Sequence, residues 1–187
     1  MVFSKWFRPP ALDPLSVSMS GVKLGDRVLV IGCSDPPLIA ALAAKAGLSG
    51  RTCAVDESAQ AATEAGRIAL KEGVLVETSS AAPSAQPFER DSFDLVVLRN
   101  MLGAGERQSR TVAAQEAARV LRPGGRAVAI DTLARSGIAA LFGAPTTPPA
   151  DDSGEVLEIF KGQGFVAVRV LAERDGLRFI EAIKKNS

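Results

Sequence analysis

A short apolar run that leads into a glycine turn and a helix start constrains the fold of this chain more than any other feature. Residues 28–31, Val-Leu-Val-Ile, predict a strand that is covered on both faces, as in a parallel sheet. Gly32 can take a positive φ and lets a ligand approach the backbone. Ser34 or Asp35 can cap the next helix, and Pro36 suits its first turn. Because ligands of open α/β sheets bind beyond the carboxyl ends of strands, the segment predicts a site for a nucleoside-bearing cofactor.

Strand and helix signals alternate along the chain after residue 25. Apolar runs predict strands, and the helical patterns between them end at Gly or at Pro-Gly. The predicted strands cover 27–32, 51–55, 74–77, 93–98 and 126–131, and the predicted helices cover 36–46, 58–72, 106–121, 132–142 and 151–162. This order implies right-handed crossovers and a parallel sheet.

The last part of the chain carries a different signal. Segments 165–171 and 177–183 alternate apolar and polar residues, and the loop between them contains Asp175-Gly176, a sequence typical of a β-hairpin turn. The predicted fold class is therefore α/β, a Rossmann-like doubly wound, mostly parallel seven-stranded sheet with a C-terminal antiparallel hairpin.

The length of 187 residues suits one domain with a substantial core. We predict an N-terminal extension at residues 1–20 and a single domain at 21–187. The extension carries Val2, Phe3, Trp6 and Phe7, with basic residues between them. We favour packing of these side chains onto their own domain, and a partner protein or a membrane surface stays as the alternative.

The charge balance excludes one class of partner and leaves others open. Lys and Arg total 22 and Asp and Glu total 21, a formal net charge of +1, which gives no electrostatic case for nucleic acid. No apolar run reaches the length of a bilayer-spanning helix. We therefore expect no nucleic-acid partner and no transmembrane segment.

The residue types that are missing limit the chemistry. The chain has no His and no Tyr, which removes histidine-dependent triads, histidine metal sites and tyrosine acids, and we predict no metal site. The two cysteines, Cys33 and Cys53, should be too far apart along neighbouring strands for a disulfide. We expect free thiols in a cytoplasmic protein. A reactive Cys33 at a helix N-terminus is the less favoured alternative to a small residue that fills a turn.

With these elements placed, the chain resembles the class I S-adenosylmethionine-dependent methyltransferases, especially those that act on small molecules. The segments that carry the resemblance are Asp26-Arg27-Val28-Leu29-Val30-Ile31-Gly32-Cys33, Ala54-Val55-Asp56-Glu57-Ser58, Ser92-Phe93-Asp94-Leu95-Val96-Val97 and Glu116-Ala117-Ala118-Arg119-Val120-Leu121-Arg122-Pro123-Gly124-Gly125-Arg126. They resemble the first motif, the acidic end of the second strand, the fourth strand and the approach to the fifth strand of that family.

The resemblance implies S-adenosylmethionine as cofactor and a set of site residues. Asp56 would accept hydrogen bonds from the ribose hydroxyls, with capping of the following helix as the alternative role. Asn100 and Met101, after the fourth strand, would face the methyl acceptor, with shaping of the turn as the alternative role of Asn100. The implied cofactor-binding residues are Gly32, Cys33, Ser34, Asp56, Glu57, Ala82 and Arg99.

Four positions depart from the family pattern and support a second hypothesis. Val30 and Ala82 stand where the family usually has acidic residues, and Ser34 and Pro36 stand where it usually has glycines. Our leading hypothesis is S-adenosylmethionine-dependent methyl transfer to a small molecule. The alternative is a non-catalytic methyltransferase-like subunit or scaffold whose cofactor binding is weak or absent. A nicotinamide-dependent oxidoreductase shares the glycine turn, but the terminal hairpin and the Arg-Pro-Gly-Gly segment argue against it.

Overall fold

The computed structural model describes residues 14–103, 106–133 and 153–186. In chain order the elements are α1 (Pro14–Ser20), β1 (Arg27–Ile31), α2 (Pro36–Ala46), β2 (Arg51–Asp56), α3 (Ala59–Lys71), β3 (Glu77–Ser80), β4 (Phe93–Arg99), α4 (Arg107–Val120), β5 (Leu121–Thr132), α5 (Ser153–Gly162), β6 (Phe165–Arg174) and β7 (Leu177–Lys184).

The strands form one seven-stranded sheet in the order β3-β2-β1-β4-β5-β7-β6. The first five strands pair in parallel, and β7 pairs antiparallel with both β5 and β6. Asp175 and Gly176, both with positive φ, turn the chain between β6 and β7. The predicted fold class is thus confirmed. The strand order reverses between β1 and β4, which makes their carboxyl ends the topological switch point of the sheet.

The four apolar residues of β1 are buried because helices cover both faces of the sheet. Leu29 and Ile31 belong to the core cluster that also contains side chains of α4 and α5. Val28 and Val30 belong to the opposite cluster, which contains side chains of α2. An uninterrupted apolar strand is what this two-sided burial requires.

Local signals fixed the starts of the helices that lead away from the sheet. The Asp35 side chain caps α2 by accepting a hydrogen bond from the Leu38 amide at 3.2 Å, and prolines occupy the first turn. The Ser58 hydroxyl caps α3 in the same way through the Ala61 amide at 3.2 Å. Of the two residues predicted to cap α2, Asp35 is the cap and Ser34 is not.

The third strand lies further along the chain than predicted. Residues 74–77 were expected to form it, but β3 spans Glu77–Ser80. The register with β2 explains the difference, because β3 must run beside the last residues of β2, where Asp56 pairs with Ser80. The apolar Leu75 instead lies in the irregular segment before the strand and is largely exposed.

Three predictions fall on residues that the structure does not describe. They are the packing of the apolar side chains of residues 2–7, most of the helix at 132–142 and the loop at 143–150. Within the described residues, none of the helices has the length and apolarity that crossing a membrane requires.

Candidate functional site

Residues from several strands meet at the carboxyl edge of the sheet. Gly32, Cys33 and Ser34 follow β1, Asp56 ends β2, and Arg99 and Asn100 mark the end of β4. Parallel pairing of β1 with both β2 and β4 brings these three strand ends together. This edge contains the switch point and is therefore the candidate binding site.

Gly32, at the end of β1, lies directly against the end of β4. Its φ is +96°, and its amide donates to the Val55 carbonyl at 2.8 Å. A Cβ atom at this position would lie 2.4 Å from the Arg99 carbonyl oxygen and 3.5 Å from the Met101 sulfur. The close approach of the two strands therefore requires glycine at this position. The short distance to the Met101 sulfur also shows that Met101 lies beside the turn after β1.

Asp56 joins the end of β2 to the turn after β1. One carboxylate oxygen accepts from the Cys33 amide at 2.7 Å, and the other accepts from the Ser58 amide at 2.9 Å. An ionised carboxylate has about four acceptor positions, so these two bonds leave roughly half of its capacity free. The side chain is half-buried, which leaves that capacity within reach of a ligand.

The two cysteines are free, as predicted, and both are buried. Burial and the nearby Asp56 carboxylate raise the pKa of the Cys33 thiol to about 12. Burial raises the pKa of Cys53 to about 11. Burial and the Asp56 charge both oppose the thiolate that the alternative of a reactive Cys33 requires. Cys33 contributes its backbone amide to the site.

Arg99 is a buried cation held at the end of β4. Only 9% of its side chain is exposed. Its Nη1 donates to the Asn100 Oδ1 at 2.5 Å, to the Ile130 carbonyl at 3.1 Å and to the Thr132 hydroxyl at 3.2 Å. Its Nε lies 3.4 Å from an Asp35 carboxylate oxygen. The guanidinium is thus fixed from the β5 side and faces the start of α2.

Asn100 connects β4, β5 and the turn after β1. It has a φ of +55°, which Asn tolerates better than most residues. Its Oδ1 accepts from the Thr132 amide at 2.9 Å, and its Nδ2 donates to the Ser34 hydroxyl at 3.2 Å. Asn100 therefore shapes the site while its side chain remains exposed.

Two predicted cofactor-binding residues lie further out. Glu57 is exposed beyond the end of β2, and its carbonyl accepts from the Ser80 hydroxyl at 2.9 Å. Ala82 is exposed in the loop after β3, where its carbonyl accepts from the Gln86 side chain at 3.0 Å. Neither side chain takes part in the contacts described around Gly32 and Arg99, and their role in ligand binding stays a prediction.

Sequence reasoning missed Asp131, which is 97% buried at the end of β5. Its carboxylate accepts from the Leu102 amide at 3.2 Å and from the Gly103 amide, so it fixes the loop that follows Met101. Burial raises its pKa above the ordinary value, although the two amides and nearby arginines oppose the shift. An acidic residue that ends an otherwise apolar central strand is the signal that identifies it.

A family model for the methyltransferase domain matches residues 28–125, just over half of the chain. No curated protein matches the chain. Among solved structures, a SAM-dependent methyltransferase from Aquifex aeolicus has 21% identity and a TM-score of 0.73 and covers 91% of this chain and 89% of its own.

Two further structures show the same fold. PigF, solved with SAH, has 19% identity and a TM-score of 0.64, and the match covers 85% of this chain and 50% of PigF. The [4+2]-cyclase SpnF has 16% identity and a TM-score of 0.66, and the match covers 92% of this chain and 79% of SpnF. At these identities the solved structures establish a shared architecture, which is found in proteins of more than one reaction class.

Proposed function

The chain belongs to the class I S-adenosylmethionine-dependent methyltransferase family, and from this premise we propose that it binds S-adenosylmethionine and transfers the methyl group to a small molecule. The observation that carries the proposal is Asp56, a half-buried carboxylate at the end of β2, beside the switch point, with acceptor capacity left over after its bonds to Cys33 and Ser58. We include a cytoplasmic location in the proposal, which the two free thiols support.

The residues at the switch point fit the adenosine end of this cofactor. Gly32 has no side chain to project above the turn, and the Asp56 carboxylate can accept hydrogen bonds from two ribose hydroxyls. The amino-acid end would extend from there across the ends of β1 and β4, over Ser34, Asp35, Arg99 and Asn100. The amino-acid end of the cofactor would thus contact polar side chains at the turn after β1. A turn with more glycines would leave this space open.

The bound cofactor would supply a methyl group that its sulfonium has already activated. The work left to the protein is then to hold two reactants in line. In our proposal Asp56 fixes the ribose, and Asn100 and Met101 border the acceptor side. The described residues at this edge offer no group aligned as a general base for an acceptor hydroxyl. We therefore favour an acceptor that ionises by itself, such as a thiol or a carboxylic acid.

Calorimetric titration with S-adenosylmethionine and S-adenosylhomocysteine tests the proposal. Asp56→Ala should weaken binding by about 2 kcal/mol, or roughly thirtyfold, because charge-assisted hydrogen bonds to the ribose are lost. Asp26→Ala is the matched control, since Asp26 also accepts a backbone hydrogen bond, from Lys23 at 2.8 Å, but lies at the opposite edge of the sheet. Absence of binding by the wild-type chain at millimolar ligand would remove the enzyme hypothesis.

A non-catalytic subunit or scaffold is the second candidate function. It is favoured by the polar contacts that fill the turn after β1 from within the chain, between Ser34 and Asn100 and between Asp35 and Arg99. A stable complex with a protein partner, purified from the native host without bound nucleoside, would support it. A monomer that carries S-adenosylmethionine through purification would count against it.

A further inference from the structure

Two side-chain contacts span the crevice between the turn after β1 and the end of β4. The Asn100 Nδ2 donates to the Ser34 hydroxyl at 3.2 Å. The Arg99 Nε lies 3.4 Å from the Asp35 carboxylate. We call these two contacts the crevice bridges. Their members are about 65 residues apart in sequence, and each contact joins the start of α2 to the end of β4.

Both bridges are held by groups outside the crevice. Asp35 uses its other carboxylate oxygen to cap α2 through the Leu38 amide. Arg99 is anchored through Nη1, and the Oδ1 of Asn100 accepts from Thr132 on β5. Since fixed backbone groups orient Asp35, Arg99 and Asn100, the bridges form with little additional loss of freedom for these side chains.

The position of the bridges determines which part of a ligand they affect. A nucleoside held by Asp56 sits at the end of β2, on one side of the switch point. A tail on its 5′ carbon that extends toward the switch point would run over β1 toward β4, because β1 lies between β2 and β4 in the sheet. That path crosses the crevice bridges, whereas the adenosine itself does not reach them.

We propose that the crevice bridges act as a latch that discriminates against a ligand with an amino-acid tail and leaves the adenosine subsite open to tail-less thionucleosides. This inference rests on the proposed function, since it assumes that adenosine binds at Asp56. An amino-acid tail must break the Ser34–Asn100 hydrogen bond and separate Asp35 from Arg99 before it can lie in the crevice. A thionucleoside such as 5′-methylthioadenosine needs neither change.

The test compares two ligands that share adenosine and a thioether and differ in the tail. S-adenosylhomocysteine and 5′-methylthioadenosine are titrated calorimetrically into the wild-type chain and into Ser34→Ala/Asp35→Asn. Asn caps helices as well as Asp does, so α2 keeps its cap. The dissociation constant of 5′-methylthioadenosine divided by that of S-adenosylhomocysteine should rise about tenfold in the variant, because each lost bridge contributes a few-fold.

The matched control is Asp26→Asn/Ser49→Ala, which makes the same chemical changes at the amino ends of the strands, where Asp26 precedes β1 and Ser49 precedes β2. Its ratio of dissociation constants should stay within about twofold of wild type, as expected for sites far from the ligand. Thermal melts establish that both variants fold. If the double latch variant does not fold, Ser34→Ala alone should raise the ratio about threefold.

Three outcomes would overturn the latch. An unchanged ratio in the latch variant, with both ligands still bound, refutes the latch and leaves the proposed cofactor site intact. A lower ratio in that variant means that Ser34 and Asp35 bind the tail rather than oppose it. Binding of neither ligand by any of the three proteins refutes the adenosine subsite, and the latch with it.

Discussion

The substitution Gly32→Ala probes the contact on which the geometry of the candidate site depends. Gly32 has a φ of +96°, and an added Cβ atom would lie 2.4 Å from the Arg99 carbonyl oxygen. That oxygen belongs to the backbone of a central strand and cannot rotate away. The new methyl group can be accommodated only if the ends of β1 and β4 move apart.

Two penalties and one compensation set the size of the effect. A non-glycine residue at this φ costs about 1–3 kcal/mol. Forcing a methyl group into packed backbone costs about 1–3 kcal/mol more. Alanine also restricts the unfolded chain, which returns about 0.4–1 kcal/mol. We therefore expect Gly32→Ala to lower the free energy of unfolding by roughly 2–5 kcal/mol.

Urea unfolding followed by circular dichroism measures this loss, and Gly73→Ala separates its two causes. Gly73 has a φ of +76°, but nothing lies within 4 Å of an added Cβ. Gly73→Ala therefore shares the backbone strain and the unfolded-state effect but lacks the steric clash. Gly32→Ala should be about 1–3 kcal/mol less stable than Gly73→Ala. Equal losses in the two variants would refute the argument that β4 closes against Gly32.

Three further predictions concern two ion-paired carboxylates and the two cysteines. Glu116 has a pKa below its ordinary value of 4.5, chiefly because a neighbouring arginine hydrogen-bonds to it. The ionised Glu116 side chain therefore stabilises the fold fully above pH 4.5, and this stabilisation is lost as the pH falls through the lowered pKa. Glu116→Gln should cost about 1–2 kcal/mol more than Glu106→Gln, a control at an exposed carboxylate on the same helix that makes no capping bond, at pH 7 in urea unfolding, and this difference should shrink as the pH falls below 4.5. Iodoacetamide at pH 7.5 should label neither Cys33 nor Cys53 in the native chain and both in guanidinium, as intact mass will show. Glu181 is buried between two arginines at 2.8 Å, and Glu181→Gln should cost about 3 kcal/mol in the same unfolding assay.

Element boundaries were predictable where a local signal fixes them. The helix at 36–46 was predicted with the bounds that the structure has, because Asp35 and Gly47 mark its ends chemically. The third strand was misplaced by three residues because no local signal marks it. Its position follows from pairing with β2, which is a property of the assembled sheet.

The site was predictable in outline but not in its contacts. The residues after β1, β2 and β4 were assigned to one edge, which follows from parallel topology alone. The partner of Arg99 could not be read from the sequence, because Asp35 lies 64 residues away and meets it only through side-chain geometry. Asp131 was missed for a related reason. It accepts hydrogen bonds from the amides of Leu102 and Gly103, and the sequence pattern does not indicate how the loop that carries them is placed.

The polar groups at the carboxyl edge satisfy one another, and this decides how a ligand can bind there. Because Arg99, Asn100 and Asp35 already have partners within the chain, a ligand tail gains only the difference between its own contacts and those that it replaces. Asp56 differs from them, because its bonds to two amides occupy about half of its acceptor positions and need not break. Affinity should therefore come mainly from the nucleoside, and the tail should determine selectivity. A scaffold would need neither property, so measured affinity for adenosine compounds separates the two candidate functions before any methyl acceptor is known.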